Sequence, residues 1–257
     1  MKNTEILFLG TCACDYSPKL SAECKDVFDL DARRSSSVLV DGHILIDCGD
    51  HVPDALRIAK IDAAAITDIA ITHLHRDHFR RDHIRAIAGK SGRTVRLWAR
   101  EGAPVEGLCR ETRPMCPGVT YEMGDYRITG LKANHDEKAY PQYIYLEHED
   151  KRLLYATDGA WLLNETYYWL KNKKLTALIL DATCGDYVGD FRMAEHNSIP
   201  MIRLMLPSLV KWGVIDGETE ILLTHIAPSL HEPHEKIVKS VEKDGLRVAY
   251  DGLKITI

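Results

Sequence analysis

Apolar positions in this chain fall into short blocks dense in Ile, Leu and Val, many of them closed by Gly or Asp. They recur at 5–10, 36–40, 43–47, 68–72, 94–98, 126–132, 143–146, 152–156, 177–181, 220–224 and 252–257, and each reads as a strand. Asp41-Gly42 separates two of them and predicts a hairpin, because both residues tolerate positive φ; a second hairpin is expected at Glu149-Asp150-Lys151. Helices are predicted at 53–60, 82–88, 165–172, 199–212 and 234–243. The last sets Ile237, Val238 and Val241 on one side and stops at Asp244-Gly245. Pro207 inside the fourth predicts a kink or a split. Strands buried in the middle with helices outside give an α/β layered sandwich. No linker or low-complexity tract divides the chain, so residues 1–257 read as a single domain.

Composition narrows this picture. With 257 residues, 45% of them hydrophobic, the chain can build a real core. No stretch approaches the ~20 apolar residues that cross a bilayer, and no membrane role is expected. The run Ile6-Leu7-Phe8-Leu9 is too short for a signal-peptide core and reads as a first buried strand. Seven scattered cysteines, an odd number, suit a reducing cytoplasm better than a disulfide framework. A net charge of −5 supplies no global field for nucleic acid. Arg80, Arg81, Arg85, Arg93, Arg96 and Arg100 give a local basic bias that could meet phosphates, although a solvated face is the commoner explanation.

The twelve histidines change the picture. The apolar run at 68–72 leads straight into His73-Leu74-His75-Arg76-Asp77-His78, three His and one Asp within six positions. In an extended stretch residues two apart point the same way, so His73 and His75 can reach one metal ion. Asp77 and His78 follow a turn and can serve a second. Imidazole and carboxylate ligands suit Zn²⁺, Fe²⁺ or Mn²⁺. Further ligands are expected where later strands end, and three places qualify: His135, Asp158 and His225.

In this order, H-x-H-x-D-H, then His, Asp and His, the sequence resembles the metallo-β-lactamase fold superfamily. The resemblance runs from Gly10-Thr11 to Tyr250-Asp251-Gly252. It implies an αββα sandwich, two central mixed sheets flanked by helices, with the site at one edge. By that resemblance His73, His75 and His135 bind one metal, Asp77, His78 and His225 the other, and Asp158 bridges both. His at position 75, where the diiron flavoprotein branch carries Glu, disfavours redox chemistry. Leu223-Thr224-His225, Ala249-Tyr250-Asp251-Gly252 and Arg33-Arg34-Ser35-Ser36-Ser37 are similar to the phosphodiesterase branch, which includes RNase Z and the accessory phosphodiesterase of the carbon–phosphorus lyase pathway. Glu195-His196-Asn197 falls where those families carry an additional active-site His.

The expected chemistry is hydrolysis by a hydroxide shared between two divalent cations, zinc first, with manganese or iron as alternatives. Asp77 would orient that water, and His196 would protonate the departing alkoxide. The expected substrate is a small or nucleotide-like phosphodiester. No Lys- and Gly-rich arm of the kind RNase Z uses for tRNA is evident, so nucleic acid ranks lower. The alternative is a carboxylic ester, lactone or thioester cleaved at the same ligands, and a third reading is a metal-binding or partner-binding domain without catalysis. A homodimer is the commonest association for such an enzyme. Cys12, Cys14 and Cys24 resemble in part a cluster that holds structural zinc in the phosphonate-pathway relatives, but their spacing is loose and free thiols are expected. Tyr16, Tyr140, Tyr187 and Trp161 are candidate pocket aromatics. His43 and His148 read as solvated, His83 as an exposed helix face, and His51 as an outer neighbour of the metals. His231 and His234 read as a helix start open to water.

Overall fold

A computed structural model describes residues 3–187 and 189–257. Seven strands form the first sheet, in spatial order β14-β1-β2-β3-β4-β5-β6. They are β1 (Glu5–Gly10), β2 (Ser37–Val40), β3 (Ile44–Ile46), β4 (Asp68–Ala70), β5 (Arg96–Arg100), β6 (Glu111–Met115) and β14 (Lys254–Thr256). The second sheet runs β13-β12-β11-β10-β9-β8-β7. Its strands are β7 (Thr120–Met123), β8 (Tyr126–Lys132), β9 (Gln142–His148), β10 (Lys151–Ala156), β11 (Ala177–Asp181), β12 (Glu220–Thr224) and β13 (Arg247–Val248). Both sheets are mixed, with β3 through β6 parallel in one and β10 through β13 parallel in the other.

The alternation of side chains along each strand builds the layers. In β1, Ile6 and Phe8 enter the core between the sheets together with Ile144, Tyr155 and Ile179 of the second sheet. Leu7 and Leu9 point the other way and pack on α2 (Val52–Ile58) and α3 (Arg81–Lys90), through Leu56 and Ile84. The outer face of the second sheet, with Leu154, Leu178 and Leu223, is covered by α4 (Asn164–Leu170), α5 (Ile199–Lys211) and α6 (His234–Val241). Strands covered on both faces need continuous apolar sequence, which is why most of them stand out in the chain. The expected αββα sandwich is the observed one. The order also holds a four-residue α1 (Lys19–Ala22). Among the described residues no helix is long and apolar enough to cross a membrane.

Three strands carry no signature in the sequence. β6 and β7 are sheet edges with only one buried residue each, and β6 contains Pro114, which an edge tolerates because its N–H side need not pair. β13 has two residues. Pro207 neither splits nor ends α5, which runs unbroken from Ile199 to Lys211. The first hairpin turns as expected, with Asp41 at φ 46° and Gly42 at φ 69°, and the second turns at Glu149, φ 53°.

Six strands, β3, β4, β8, β10, β11 and β12, deliver polar residues just past their C-terminal ends, where open α/β sheets assemble ligand sites. Gly49 locks the first of these loops to the His-rich segment. A Cβ there would lie 1.6 Å from the Asp77 carbonyl oxygen. Cys48 donates to the His78 carbonyl and accepts from the Arg80 N–H, both at 2.8 Å.

Candidate metal centre

Residues 72–78 leave β4 as a tight loop, and His73, His75 and His135 converge there with their ligand atoms within 4.8 Å of one another. Asp77, His78, Asp158 and His225 form a second group by the same measure. Asp158 lies between them. Its Oδ2 is 2.7 Å from His78 Nε2, 3.0 Å from His225 Nε2 and 3.9 Å from His73 Nε2, and its Oδ1 is 4.0 Å from His135 Nε2. Asp158 and His225 both adopt left-handed backbone, φ 51° and 58°, a conformation Asp and His enter more readily than most residues. These turns aim the two side chains back toward the sheet edge.

The outer hydrogen bonds fix which nitrogen faces the centre. His78 Nδ1–H donates to Asp47 Oδ2 at 2.7 Å. His225 Nδ1 pairs with the Thr183 hydroxyl at 2.7 Å, and His73 Nδ1 with the Thr72 hydroxyl at 3.0 Å. His135 Nδ1–H reaches the Glu195 carbonyl at 3.4 Å. All four rings thus turn Nε2 inward, the arrangement by which outer carboxylates and carbonyls orient metal-binding imidazoles. His75 differs: its Nδ1 is 3.1 Å from His135 Nε2. His73 Nε2 is buried without a hydrogen-bond partner. Buried polar atoms are almost always satisfied, and a cation coordinated between the groups satisfies it. The donor set, five imidazoles and two carboxylates, therefore fits two divalent cations.

Electrostatics agrees. Burial pushes the Asp77 carboxyl up, but His78 and His225 overcome it and hold it well below the usual range. Burial lowers His225, yet Asp158, Asp77 and Asp181 outweigh it and push it up to about 10. In His73 burial dominates, reinforced by His78, and keeps the ring neutral.

Every residue read from the sequence as a ligand is brought together here. Two carboxylates were not singled out. Asp47 is fully buried at the end of β3 and also accepts the Thr72 N–H at 2.8 Å. Asp181 ends β11, with Oδ2 at 2.9 Å from His196 Nδ1. Both follow an apolar run, the one signal that could have marked them. Replacing Asp47 with alanine strips His78 of its acceptor and is expected to weaken metal binding ~10–100-fold, read by competition against a chromophoric chelator. An unchanged affinity would remove Asp47 from the orienting shell.

His196 stands over the same centre. Its Nδ1 is 3.4 Å from Asp158 Oδ1 and its ring stacks on His225, with centroids 5.5 Å apart. Burial lowers its pKa, but Asp181 and then Asp158 together more than offset this and the net shift is upward.

Several expectations are corrected by the partners the fold supplies. His83 is half-buried and donates to the Gly49 carbonyl at 2.9 Å. His148 is buried, stacked on Tyr126 and 3.4 Å from the Thr4 hydroxyl. His231 Nε2–H donates to the Ala182 carbonyl at 2.6 Å, and His234 Nδ1 accepts from Arg33 at 2.8 Å. His43 turns back on its own hairpin, to the Asp41 carbonyl. His51 meets Ser35 and Tyr16 instead of the centre. Half of the basic run after the His motif is spent on carboxylates of the chain itself: Arg80 pairs with Asp50 and Asp82, Arg96 with Asp68, and Arg100 with Glu137. Cys12, Cys14 and Cys24 belong to none of the groups that could hold a metal.

The segment from Arg33 and the segment ending at Gly252 meet each other. Arg33 binds the Ala249 carbonyl and the Thr11 hydroxyl, and Asp251 accepts from Thr11 and from the Arg34 N–H. The Thr11 carbonyl in turn holds the Ile226 N–H at 2.8 Å, which fixes the residue after His225.

Comparison with known proteins adds three findings. The family model described as anti-Pycsar protein Apyc1 matches residues 34–80, the stretch from Arg34 through the His motif. No curated protein sequence matches the chain. Solved structures align along its whole length. The metallo-β-lactamase fold protein YhfI from Bacillus subtilis is 15% identical with all of both chains covered, TM-score 0.74. A diphosphatase of the PhnP family is 20% identical, covering all of this chain and 98% of that one, TM-score 0.73. Zn²⁺-bound PqqB from Methylobacterium extorquens is 16% identical, covering 98% of this chain and all of that one, TM-score 0.72. At these identities the likeness is one of architecture: the chain has the metallo-β-lactamase fold.

Proposed function

We propose that the protein is a dinuclear metal-dependent phosphodiesterase, one hydrolase domain over residues 1–257, acting in the cytoplasm on a small or nucleotide-like phosphodiester. His73, His75 and His135 would hold one divalent cation, Asp77, His78 and His225 the other, with Asp158 shared; zinc is the first choice, manganese or iron the alternatives. Bound there, two cations lower the pKa of a water and neutralise charge building on phosphoryl oxygens.

The chain's own residues do the rest. Asp77, held ionised by its two imidazole neighbours, accepts a hydrogen bond from the attacking water and turns its lone pair toward phosphorus. Asp181 fixes His196 by its Nδ1, leaving Nε2–H as the proton donor to the departing oxygen. The observation that carries the reading is this Asp181–His196 pair beside the metal groups. A phosphodiester with an alkyl leaving oxygen needs such a proton. The diphosphatase named above supports chemistry at phosphorus on this fold.

The test compares bis(p-nitrophenyl) phosphate with p-nitrophenyl acetate on protein loaded with Zn²⁺ or Mn²⁺. The diester is expected to show the larger kcat/KM. Preference for the acetate would overturn the reading in favour of a carboxylic ester, lactone or thioester, and no turnover of either with metals bound would leave a binding domain.

A further inference from the structure

Two loops rise beside the metal groups, one carrying Asp158 and the other His196, and a single buried side chain ties them together. Asn197 donates from Nδ2 to the Gly159 carbonyl at 2.9 Å and accepts the Trp161 N–H on Oδ1 at 2.9 Å. Its own N–H reaches Asp181 at 3.1 Å. Trp161 is therefore held three residues past Asp158 and clamped to the residue next to His196.

Its conformation is unusual for so large a side chain. The backbone sits in the left-handed region at φ 45°, a state that bulky residues rarely enter and that persists where the surroundings impose it, often at ligand sites. The indole is nevertheless 42% exposed. Among the described residues it has no ring contact and no hydrogen bond to its Nε1–H. The core does not explain this placement: neither the layer between the sheets nor the layers under the helices includes Trp161. On the other loop Phe191, 87% exposed, opens the turn Phe191–Ala194 that leads to His196. An exposed aromatic ring three residues from a carboxylate of the metal groups offers the flat surface that base stacking requires, since every base presents a π-face.

We propose that Trp161 is a specificity-determining residue that stacks on the base of the substrate, so that the favoured phosphodiester carries a nucleobase next to the scissile phosphate. The proposal rests on the phosphodiesterase reading and deepens it. The clamp by Asn197 holds the backbone of Trp161 to the loop that carries Asp158, so a base on the indole and a phosphate at the metal groups would be read together.

Calorimetry on the Zn²⁺-loaded protein tests this without turnover, using adenosine 5′-monophosphate and ribose 5-phosphate, which differ in the base. The nucleotide is expected to bind about tenfold tighter, ~1.4 kcal/mol. Trp161→Ala should remove that preference while leaving ribose 5-phosphate affinity unchanged, and Trp161→Phe should keep most of it. Equal affinity of the two ligands for the wild type, which needs no variant, would overturn the stacking role while sparing the phosphodiesterase reading. A Trp161→Ala loss shared equally by both ligands would assign the indole to loop positioning and also overturn it. Binding of neither ligand would sink the phosphodiesterase reading together with the proposal. If Trp161→Ala lowered the sedimentation mass and kept the base preference, the indole would belong to an interface with a second copy, and the proposal would fall.

Discussion

Asp158→Ala is expected to cost at least about a hundredfold in metal affinity, and diester hydrolysis should fall with it. Among the described residues the carboxylate is the one acidic group facing both ligand sets, with three Nε2 atoms converging on Oδ2 and a fourth on Oδ1. Removing one partner from a buried charge cluster costs ~3–5 kcal/mol, which is ~10²–10⁴ in an equilibrium constant. Alanine cannot re-form the bridge, and no carboxylate among the ligands replaces it: Asp77 Oδ2 approaches only His78 and His225, at 3.2 and 3.6 Å. Metal content after gel filtration, by elemental analysis, reads the effect directly, alongside bis(p-nitrophenyl) phosphate turnover. Asp158→Asn separates charge from shape, because it keeps the volume and loses the anion. It should match alanine in metal content while melting closer to wild type. Wild-type stoichiometry in both variants would mean that the two ligand groups do not share Asp158.

The His-rich loop was legible because its chemistry is local. Four ligand-type residues within six positions, after an apolar strand, leave few bland readings, and the later ligands could be found by the same rule of a strand followed by a polar residue. Asp47 and Asp181 obey that rule as well, yet neither could be told from an ordinary strand cap. Asp47 meets its imidazole 31 positions away, and Asp181 meets its partner 15 positions away, so no spacing marks either of them. Distance in sequence also explains the misread histidines. His234 finds Arg33 across 201 positions and His148 finds Thr4 across 144, and a residue whose partner is that remote looks solvated when read alone. The strands divided by the same logic. Those buried on both faces announce themselves by continuous apolar sequence, whereas β6 and β7 are paid out at sheet edges, where Arg113, Pro114 and Glu122 are tolerated. Trp161 was visible as an aromatic, but its backbone is held by Asn197, 36 residues downstream, a partner no local pattern marks.

His196→Ala should separate metal binding from proton donation. The ring touches the centre through Asp158 and stacks on His225, but its Nδ1 is committed to Asp181, so the variant is expected to keep both cations. For a diester with an alkyl leaving group, loss of a positioned acid costs ~10²–10⁴ in kcat. For a p-nitrophenyl diester the loss should be small, because that phenolate departs without a proton. The contrast between leaving groups, at constant metal content, is the signature of an acid. The pH profile supplies a second readout. Burial alone would lower the His196 pKa, and Asp181, with Asp158 behind it, reverses the sign and raises it above the ordinary imidazole value of 6.5. The acid form therefore persists past that value, and turnover of the alkyl diester should decline only as pH rises through the raised pKa. Asp181→Asn removes the larger of the two raising charges and leaves Asp158 alone against burial, so the same decline should move to lower pH. Equal losses on both leaving groups, or a decline that stays in place in Asp181→Asn, would assign His196 to holding the loop and leave the departing oxygen to be protonated by water.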